Sequence, residues 1–206
     1  MANDHEQAFM NMIHADPDDD TPRLIFADWL DENSKPERAE FIRVQIQIAQ
    51  SRKRRADLLR HQTELLDIYG GEWRAEELGR NVSLNERSVL MFRRGFLEKA
   101  VLTYKEALTY SFRLESTLVR ELQLVGDANL QILRKLARTK FFQQLHSLSL
   151  FGNYIGNEGA STVLEQSLSQ LEELDVRYNR IAEVARETIA NKYSSKIRTL
   201  LTWPQY

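Results

Sequence analysis

The chain has 206 residues, of which 42% are hydrophobic and 28% are charged, a composition typical of a globular protein and unlike a disordered one. Its formal net charge of -2 gives no overall attraction to nucleic acid or membrane, and the lack of cysteine excludes disulfides, thiolate zinc sites and cysteine nucleophiles. The N-terminus is polar and no apolar run reaches the roughly 18 residues of a spanning helix, so we expect a cytoplasmic protein with no membrane contact.

The first half of the chain has the residue pattern of helices. One helix is predicted to start at Thr21, whose side chain can cap free backbone N–H groups, with Pro22 in the first turn. Its predicted apolar face consists of Leu24, Ile25, Trp29 and Leu30. Asn33 and Ser34 are expected to end this helix, and Pro36 to open the next.

Residues 37–69 contain neither Gly nor Pro and predict one long helix, or two helices joined by a slight break. The pair Gly70-Gly71 is predicted to stop this helical stretch, and Trp73 follows as an anchor of the core. Residues 93–95, Arg-Arg-Gly, are predicted to form a turn into the second half of the chain.

Acidic residues dominate the N-terminal segment, with eleven in residues 1–50 against four basic ones. Four of them cluster before the predicted second helix: Asp16, Asp18, Asp19 and Asp20. Clustered carboxylates can hold a divalent cation, and an enzyme using such a metal is one alternative. The helix start at Thr21 explains the cluster better, because acidic side chains stabilise the positive end of a helix dipole. We therefore expect no metal site.

A basic cluster follows directly: Arg52, Lys53, Arg54 and Arg55, with Arg60 further along the same stretch. Such a cluster can contact phosphate groups, which makes a nucleic-acid-associated accessory protein the main alternative function. It lacks interleaved aromatic residues for base stacking, so a solvated helix face paired with the acidic segment is favoured and nucleic acid is not expected as a partner.

The second half of the chain is a repeating sequence. Leu122, Leu148, Leu174 and Leu200 recur with a constant spacing of 26 within an L-x-x-L-x-L pattern. Asn153 and Asn179 share this spacing, with Asp127 at the equivalent place one repeat earlier. Inward leucines of successive short strands stack into one core, and an Asn after the strand can bond to the loop backbone. An irregular first repeat is predicted at Leu97, Ala100 and Leu102, where the offset to the next repeat is 22 instead of 26.

Two resemblances follow from these residues. Residues 145–168 resemble leucine-rich repeats of the ribonuclease-inhibitor type. Residues 16–20, 22–24, 27–30 and 38–43, with Gln45, closely resemble the motifs of a bacterial, planctomycete-type repeat-companion domain found ahead of such repeats. Residues 93–103 also resemble the lead-in to those repeats. The resemblances imply an architecture and a bacterial origin, but no biochemical activity.

The predicted fold is therefore α/β. An N-terminal helical repeat-companion module, residues 1–92, is followed by a leucine-rich-repeat domain of about four repeats, residues 93–206. Each repeat should form a strand, a turn and a helix, with parallel strands on the concave face of a solenoid and helices on the convex face.

Side chains that flank the inward leucines should line the concave face, because side chains alternate along a strand. One row contains Glu121, Ser147, Glu173 and Thr199; the next contains Gln123, Ser149, Asp175 and Leu201; the third contains Val125, Phe151, Arg177 and Trp203. Aromatic residues beside Arg are typical of binding hot spots. The predicted partner-binding residues are Val125, Phe151, Arg177, Trp203, Glu173 and Asp175. The alternative is that Phe151 and Trp203 only cover loop or terminal leucines.

The expected function is a non-enzymatic protein–protein interaction module: an adaptor, inhibitor or regulatory subunit of a bacterial complex. No phosphate loop, HExxH, GxSxG or metal-ligand spacing is present, so we expect no catalytic residues and no cofactor. The last strand, predicted at residues 197–202, should have its edge covered by a partner, by a second copy of the chain, or by the terminal Pro204 and aromatic residues.

Overall fold

The computed structural model describes residues 2–51, 55–165, 169–193 and 199–201. Its helices are α1 Ala2–Ala15, α2 Thr21–Glu32, α3 Pro36–Gln50, α4 Arg55–Leu78, α5 Tyr104–Thr109, α6 Ser111–Leu114, α7 Leu130–Leu136, α8 Lys140–Gln143, α9 Gly156–Leu164 and α10 Glu183–Tyr193. Its strands are β1 Val89–Arg93, β2 Phe96–Thr103, β3 Glu121–Val125, β4 Ser147–Ser149, β5 Glu173–Asp175 and β6 Thr199–Leu201. Within these described ranges the strands form one sheet in chain order, and neighbours from β2 to β6 are parallel. The architecture is α/β.

The chain divides into two units. The N-terminal unit comprises Met1–Arg80 and Phe92–Leu97, and the C-terminal unit comprises Asn81–Met91 and Glu98–Tyr206. The boundary predicted between residues 92 and 93 falls inside this interleaved stretch.

The buried face of α2 differs from the predicted one. Its buried residues are Pro22, Arg23, Phe26, Ala27 and Leu30. Leu24 and Ile25, predicted to be buried, are 37% and 45% exposed. Hydropathy places Arg23 in solvent, but its guanidinium is buried because Nη1 donates to the carbonyl of Arg94 at 3.1 Å and Nη2 to that of Pro17 at 2.8 Å. Internal hydrogen bonds thus offset the loss of hydration.

The start of α2 is where the sequence predicts it, but Asp20 is the N-cap and its side chain forms no capping hydrogen bond. The helix begins at Thr21 with Pro22 in its first turn. Asp19, rather than Thr21, supplies the side-chain acceptor, since its Oδ1 accepts a hydrogen bond from the Thr21 N–H at 2.9 Å. This bond lowers the pKa of Asp19. The cluster at residues 16–20 thus contributes to the helix start through Asp19.

The long helical stretch forms two helices, α3 and α4. The predicted stop at Gly70-Gly71 is wrong, because α4 continues to Leu78. Trp73, on the turn that follows the glycines, is buried with its ring centroid 4.6 Å from that of Phe41, which confirms it as a core anchor. Burial of an aromatic side chain outweighs the cost of about 1 kcal/mol for each helical glycine.

A buried ion pair lies at the centre of the N-terminal unit. Arg38 Nη2 is 2.6 Å from Glu77 Oε1, and Glu77 Oε2 accepts a hydrogen bond from the Leu97 N–H at 2.9 Å. The guanidinium lies 5.0 to 5.7 Å from four ring centroids, those of Phe41, Trp73, Phe92 and Phe96. Burial raises the pKa of Glu77, against the opposing effects of Arg38 and the Leu97 N–H.

The turn predicted at residues 93–95 is confirmed. Arg94 and Gly95 have φ angles of 48° and 92°, the left-handed conformation that joins two strands in a tight hairpin. Gln45 holds this turn: its Oε1 accepts from the Gly95 N–H at 2.7 Å, and its Nε2 donates to the Phe92 carbonyl at 3.2 Å. A Cβ atom at Gly95 would lie 2.4 Å from Ile42 Cγ1, so glycine is required for both reasons.

The repeat spacing of the C-terminal unit is confirmed by strand register. Leu122 pairs with Leu148, Leu148 with Leu174, and Leu174 with Leu200. The irregular first repeat is also confirmed, because Ala100 pairs with Leu122 at the shorter offset that the sequence predicts. Helices α7, α9 and α10 follow β3, β4 and β5 as predicted.

Glu106 explains why residues 81–91 belong to the C-terminal unit. Its carboxylate accepts hydrogen bonds from the Asn85 N–H at 2.5 Å, from Ser88 Oγ at 2.6 Å and from the Thr103 N–H at 2.9 Å. Burial alone would raise the pKa of Glu106, but these donors stabilise the ionised form and lower it overall. The carboxylate therefore fastens the segment before β1 to the start of α5.

Candidate functional site

The face of the parallel strands that points away from the leucine core is the candidate site. Burial alternates along β3, where Leu122 and Leu124 are buried and their neighbours are half-buried. We define the strand face as the described side chains on this side of β3 to β5 and their continuations: Glu121, Gln123, Val125, Ser147, Ser149, Phe151, Glu173, Asp175 and Arg177. All of them are at least partly accessible to solvent, and Glu173 and Phe151 are exposed.

Most of the strand face is polar, and part of its charge is neutralised by a neighbouring side chain. Lys99 Nζ on β2 is 3.7 Å from Glu121 Oε2. Val125 lies half-buried at the end of β3. The face therefore has few apolar residues, and the exposed aromatic one, Phe151, lies at its edge.

Arg177 is held in one orientation by Asp175. Its Nε and Nη2 donate to the two carboxylate oxygens at 3.0 and 2.7 Å, and its backbone N–H donates to Oδ1 at 3.1 Å. The hydrogen bond to Asp175 raises the pKa of Arg177. The guanidinium carbon lies 5.3 Å from the centroid of the Phe151 ring, within the range of a cation–π contact.

Phe151 is 43% exposed although it contacts two side chains of the next repeat. Besides Arg177, it meets the Tyr178 ring at a centroid distance of 5.0 Å and an interplanar angle of 63°, an edge-to-face contact. The structure therefore brings the predicted residues Phe151, Arg177 and Asp175 together into one ordered cluster.

A second arginine–aromatic pair follows the first along the chain and was missed by reasoning from the strand rows. The Arg180 guanidinium lies 4.5 Å from the centroid of the Tyr154 ring. Tyr154 is 57% exposed, and Arg180 is also exposed. The interval from Tyr154 to Arg180 equals the interval from Phe151 to Arg177, which is the signal that could have found it.

The turn that carries these residues has an unusual member at Tyr178. Gly126, Gly152 and Tyr178 occupy equivalent positions of successive repeats, and all have positive φ, at 92°, 70° and 57°. Glycine adopts this conformation freely, whereas a bulky residue is strained in it. The tyrosine adds at this position the ring that contacts Phe151.

Two buried asparagines hold the turns in place, as the repeat pattern predicts. Asn153 Nδ2 donates to the Leu124 carbonyl at 2.8 Å, and Asn179 Nδ2 donates to the Leu150 carbonyl at 2.7 Å. Asn179 Oδ1 also accepts from the Asn153 N–H at 3.1 Å. The equivalent Asp127 is exposed. The aromatic cluster therefore lies on a backbone that buried hydrogen bonds hold in place.

Of the other predicted contact residues, Trp203 lies outside the described residues, and so do Arg52, Lys53 and Arg54. Arg55 is exposed at the start of α4, where its Nε donates to the Ser51 carbonyl at 2.6 Å.

The acidic cluster at residues 16–20 forms contacts with other side chains of the same unit. Asp18 Oδ1 and Asp20 Oδ1 lie 3.2 and 3.6 Å from guanidinium nitrogens of Arg94. Gln50 Nε2 donates to Asp20 Oδ2 at 2.9 Å. In the part of the chain that the structure describes, no three His, Asp or Glu side chains are grouped closely enough to hold a metal ion.

Comparison of the chain with protein-family models, with curated proteins and with solved structures gives no match. The helices within the described ranges are all too short or too polar to cross a membrane.

Proposed function

We propose that residues 93–206 form a leucine-rich-repeat solenoid whose strand face lies on the concave side. The in-register parallel pairing of equivalent leucines supports this proposal, as do the asparagines that bond to the preceding repeat. A solenoid buries its core only between repeats and leaves one strand face open for binding.

On this scaffold, we propose that the chain is a non-enzymatic protein–protein interaction module of the cytoplasm. It acts as an adaptor, inhibitor or regulatory subunit of a bacterial complex and binds a protein through the strand face. The carrying observation is the exposed, ordered cluster of Phe151, Arg177 and Asp175.

The physical reason is the low cost of ordering this cluster on binding. A free Arg side chain loses rotamer entropy when it joins an interface, but Arg177 is already fixed by two hydrogen bonds to Asp175. Phe151 has few rotatable bonds and presents apolar surface that a partner can bury. Aromatic residues and Arg dominate binding hot spots for these reasons.

Photo-crosslinking in cells tests this proposal. A photoreactive phenylalanine analogue replaces Gln123 or Ser149 on the strand face, and Glu187 or Asn191 on the exposed side of α10 in control variants. We expect one discrete crosslinked protein from the first two positions and none from the controls. Equal crosslinking from both sets, or none from the strand face, would contradict the proposal.

A further inference from the structure

We propose that the turns after β4 and β5 recognise an acidic side chain next to an aromatic one in a segment of the protein partner. The recognition site, here named the turn cluster, consists of Phe151, Tyr154, Tyr178 and Arg180. This inference rests on the proposed function and specifies the chemistry of its partner.

Arg180 supplies the charge for this recognition. Its guanidinium carbon lies 4.5 Å from the centroid of the Tyr154 ring, and a cation–π contact of this kind does not use up the N–H donors of the guanidinium. Arg177 is neutralised by Asp175. In the described ranges no carboxylate pairs with Arg180, whose exposed fork of N–H donors matches a carboxylate.

Tyr178 supplies apolar surface to the turn cluster. Its backbone conformation is a second, independent reason to propose that the cluster binds a partner. Its φ of 57° is strained where the two preceding repeats have glycine. A tyrosine at this position is therefore less favourable for stability than the glycine of the other repeats. The tyrosine contributes instead a ring beside Phe151 at the surface. Local strain retained in this way is typical of binding sites.

The neighbouring charges favour a single carboxylate over a polyanion. Glu173 precedes the turn on β5 with an exposed carboxylate, and the charge of Arg177 is already neutralised by Asp175, so a phosphate backbone running along the strand face would meet more negative than positive charge there. A peptide segment with one acidic side chain beside an aromatic one avoids this repulsion and covers Tyr154 or the Phe151–Tyr178 pair. Charge complementarity thus selects an acidic, aromatic peptide.

The test uses a random dodecapeptide library displayed on phage and selected on the full chain. We expect enrichment of peptides in which Asp or Glu lies within a few residues of Phe, Tyr or Trp. Binding of an enriched synthetic peptide should weaken as sodium chloride is raised, because its contact with Arg180 is exposed to solvent.

Three variants then locate the site. Arg180→Gln removes the charged donors and Tyr178→Gly restores the residue of the other repeats; each should weaken peptide binding by about tenfold or more. Tyr178→Gly should melt at the same temperature as the parent chain or higher, since it relieves backbone strain. Arg60→Gln, which removes an exposed arginine of α4 and changes net charge equally, should leave peptide affinity unchanged.

Enrichment of basic peptides, no enrichment, or equal binding by all three variants would overturn the inference. So would a fall in melting temperature that accompanies the loss of binding in Tyr178→Gly, since that identifies a packing residue. These failures are distinguishable from failure of the proposed function: crosslinking from Gln123 and Ser149 would still capture a protein if only the acidic specificity were wrong.

Discussion

Arginine–aromatic contacts occur in both units of the chain, but their surroundings are opposite. In the N-terminal unit Arg38 is buried against four rings and paired with Glu77. In the C-terminal unit Arg177 and Arg180 lie over Phe151 and Tyr154, whose rings are about half exposed. The same type of contact stabilises a core in one unit and orders a surface in the other.

The polar residues of the N-terminal sequence motifs have a structural role within their own unit. The motif residues Arg23, Arg38 and Gln45 of the N-terminal unit contact the segment 92–97 or the residues that hold it. Their contacts within the unit account for the presence of polar side chains in its core, and no ligand is needed to explain them. The exposed pairs of the C-terminal unit have no comparable role in a core, which is why we propose that this unit binds the partner.

The largest expected effect is on the buried pair. Arg38→Leu leaves Glu77 buried without its charge partner, so the free energy of unfolding should fall by about 3 to 5 kcal/mol. Urea unfolding measures this change. Arg60→Leu, which breaks an exposed ion pair with Asp57, should cost less than about 1 kcal/mol. Similar losses in the two variants would remove the contrast between buried and exposed arginines.

Asn179→Ala should destabilise the C-terminal unit by about 1 to 3 kcal/mol, because it leaves the buried Ile155 N–H without its acceptor and removes the hydrogen bonds of Asn179 with the Leu150 carbonyl and the Asn153 N–H. The matched control is Asp127→Ala at the exposed equivalent position, where we expect less than about 0.5 kcal/mol. Chemical denaturation of both variants gives the comparison. A small loss for Asn179→Ala would mean that the turns are not held by this side chain.

A Gly→Ala substitution at two glycines with the same φ angle distinguishes the cost of backbone strain from the cost of steric crowding. Gly95 and Gly126 both have a φ of 92°, but only at Gly95 does a new Cβ meet Ile42. Gly126→Ala should cost about 1 kcal/mol from strain alone, and Gly95→Ala about 1 to 3 kcal/mol more from overpacking. Thermal unfolding checks the order. Equal costs would show that the N-terminal unit accommodates the methyl group.

The smallest effect is a pH dependence in the N-terminal unit. His61 Nε2 is 2.7 Å from Glu40 Oε1, and this hydrogen bond raises the pKa of His61 above 6.5. The pair therefore stabilises the fold fully below about pH 6.5, and this contribution disappears as pH rises through the higher folded-state pKa. The stability difference between the parent chain and His61→Gln should be larger at about pH 5.5 than at about pH 8.5. A pH-independent difference in urea midpoint would exclude the charged pair.

The sequence predicts the C-terminal unit better than the N-terminal one, for a physical reason. Repeated leucines must occupy equivalent places in neighbouring strands, so their spacing alone gives the register at Leu122, Leu148 and Leu174. The buried face of α2 could not be predicted because the Arg23 side chain is buried by hydrogen bonds to the carbonyls of Pro17 and of the distant Arg94.

The same limit applies to the candidate site. Alternation along a strand predicts that Phe151, Asp175 and Arg177 share a face, and they do. It says nothing of the turns beyond the strands, where Tyr178 and Arg180 have left-handed backbones. The 26-residue spacing of Tyr154 and Arg180 indicates that the two side chains lie in neighbouring repeats. The turn geometry is needed as well to show that they are in contact.

We propose that the Phe151 side chain serves binding rather than packing. Phe151→Ala should weaken the affinity for the crosslinked partner by about 2 kcal/mol or more, because the ring is the exposed apolar side chain of the strand face. The free energy of unfolding should fall by less than about 1 kcal/mol, since the ring is 43% exposed. Measured on one protein preparation, a large loss of affinity with little loss of stability supports the account. Equal losses of both, or unchanged affinity, would contradict it.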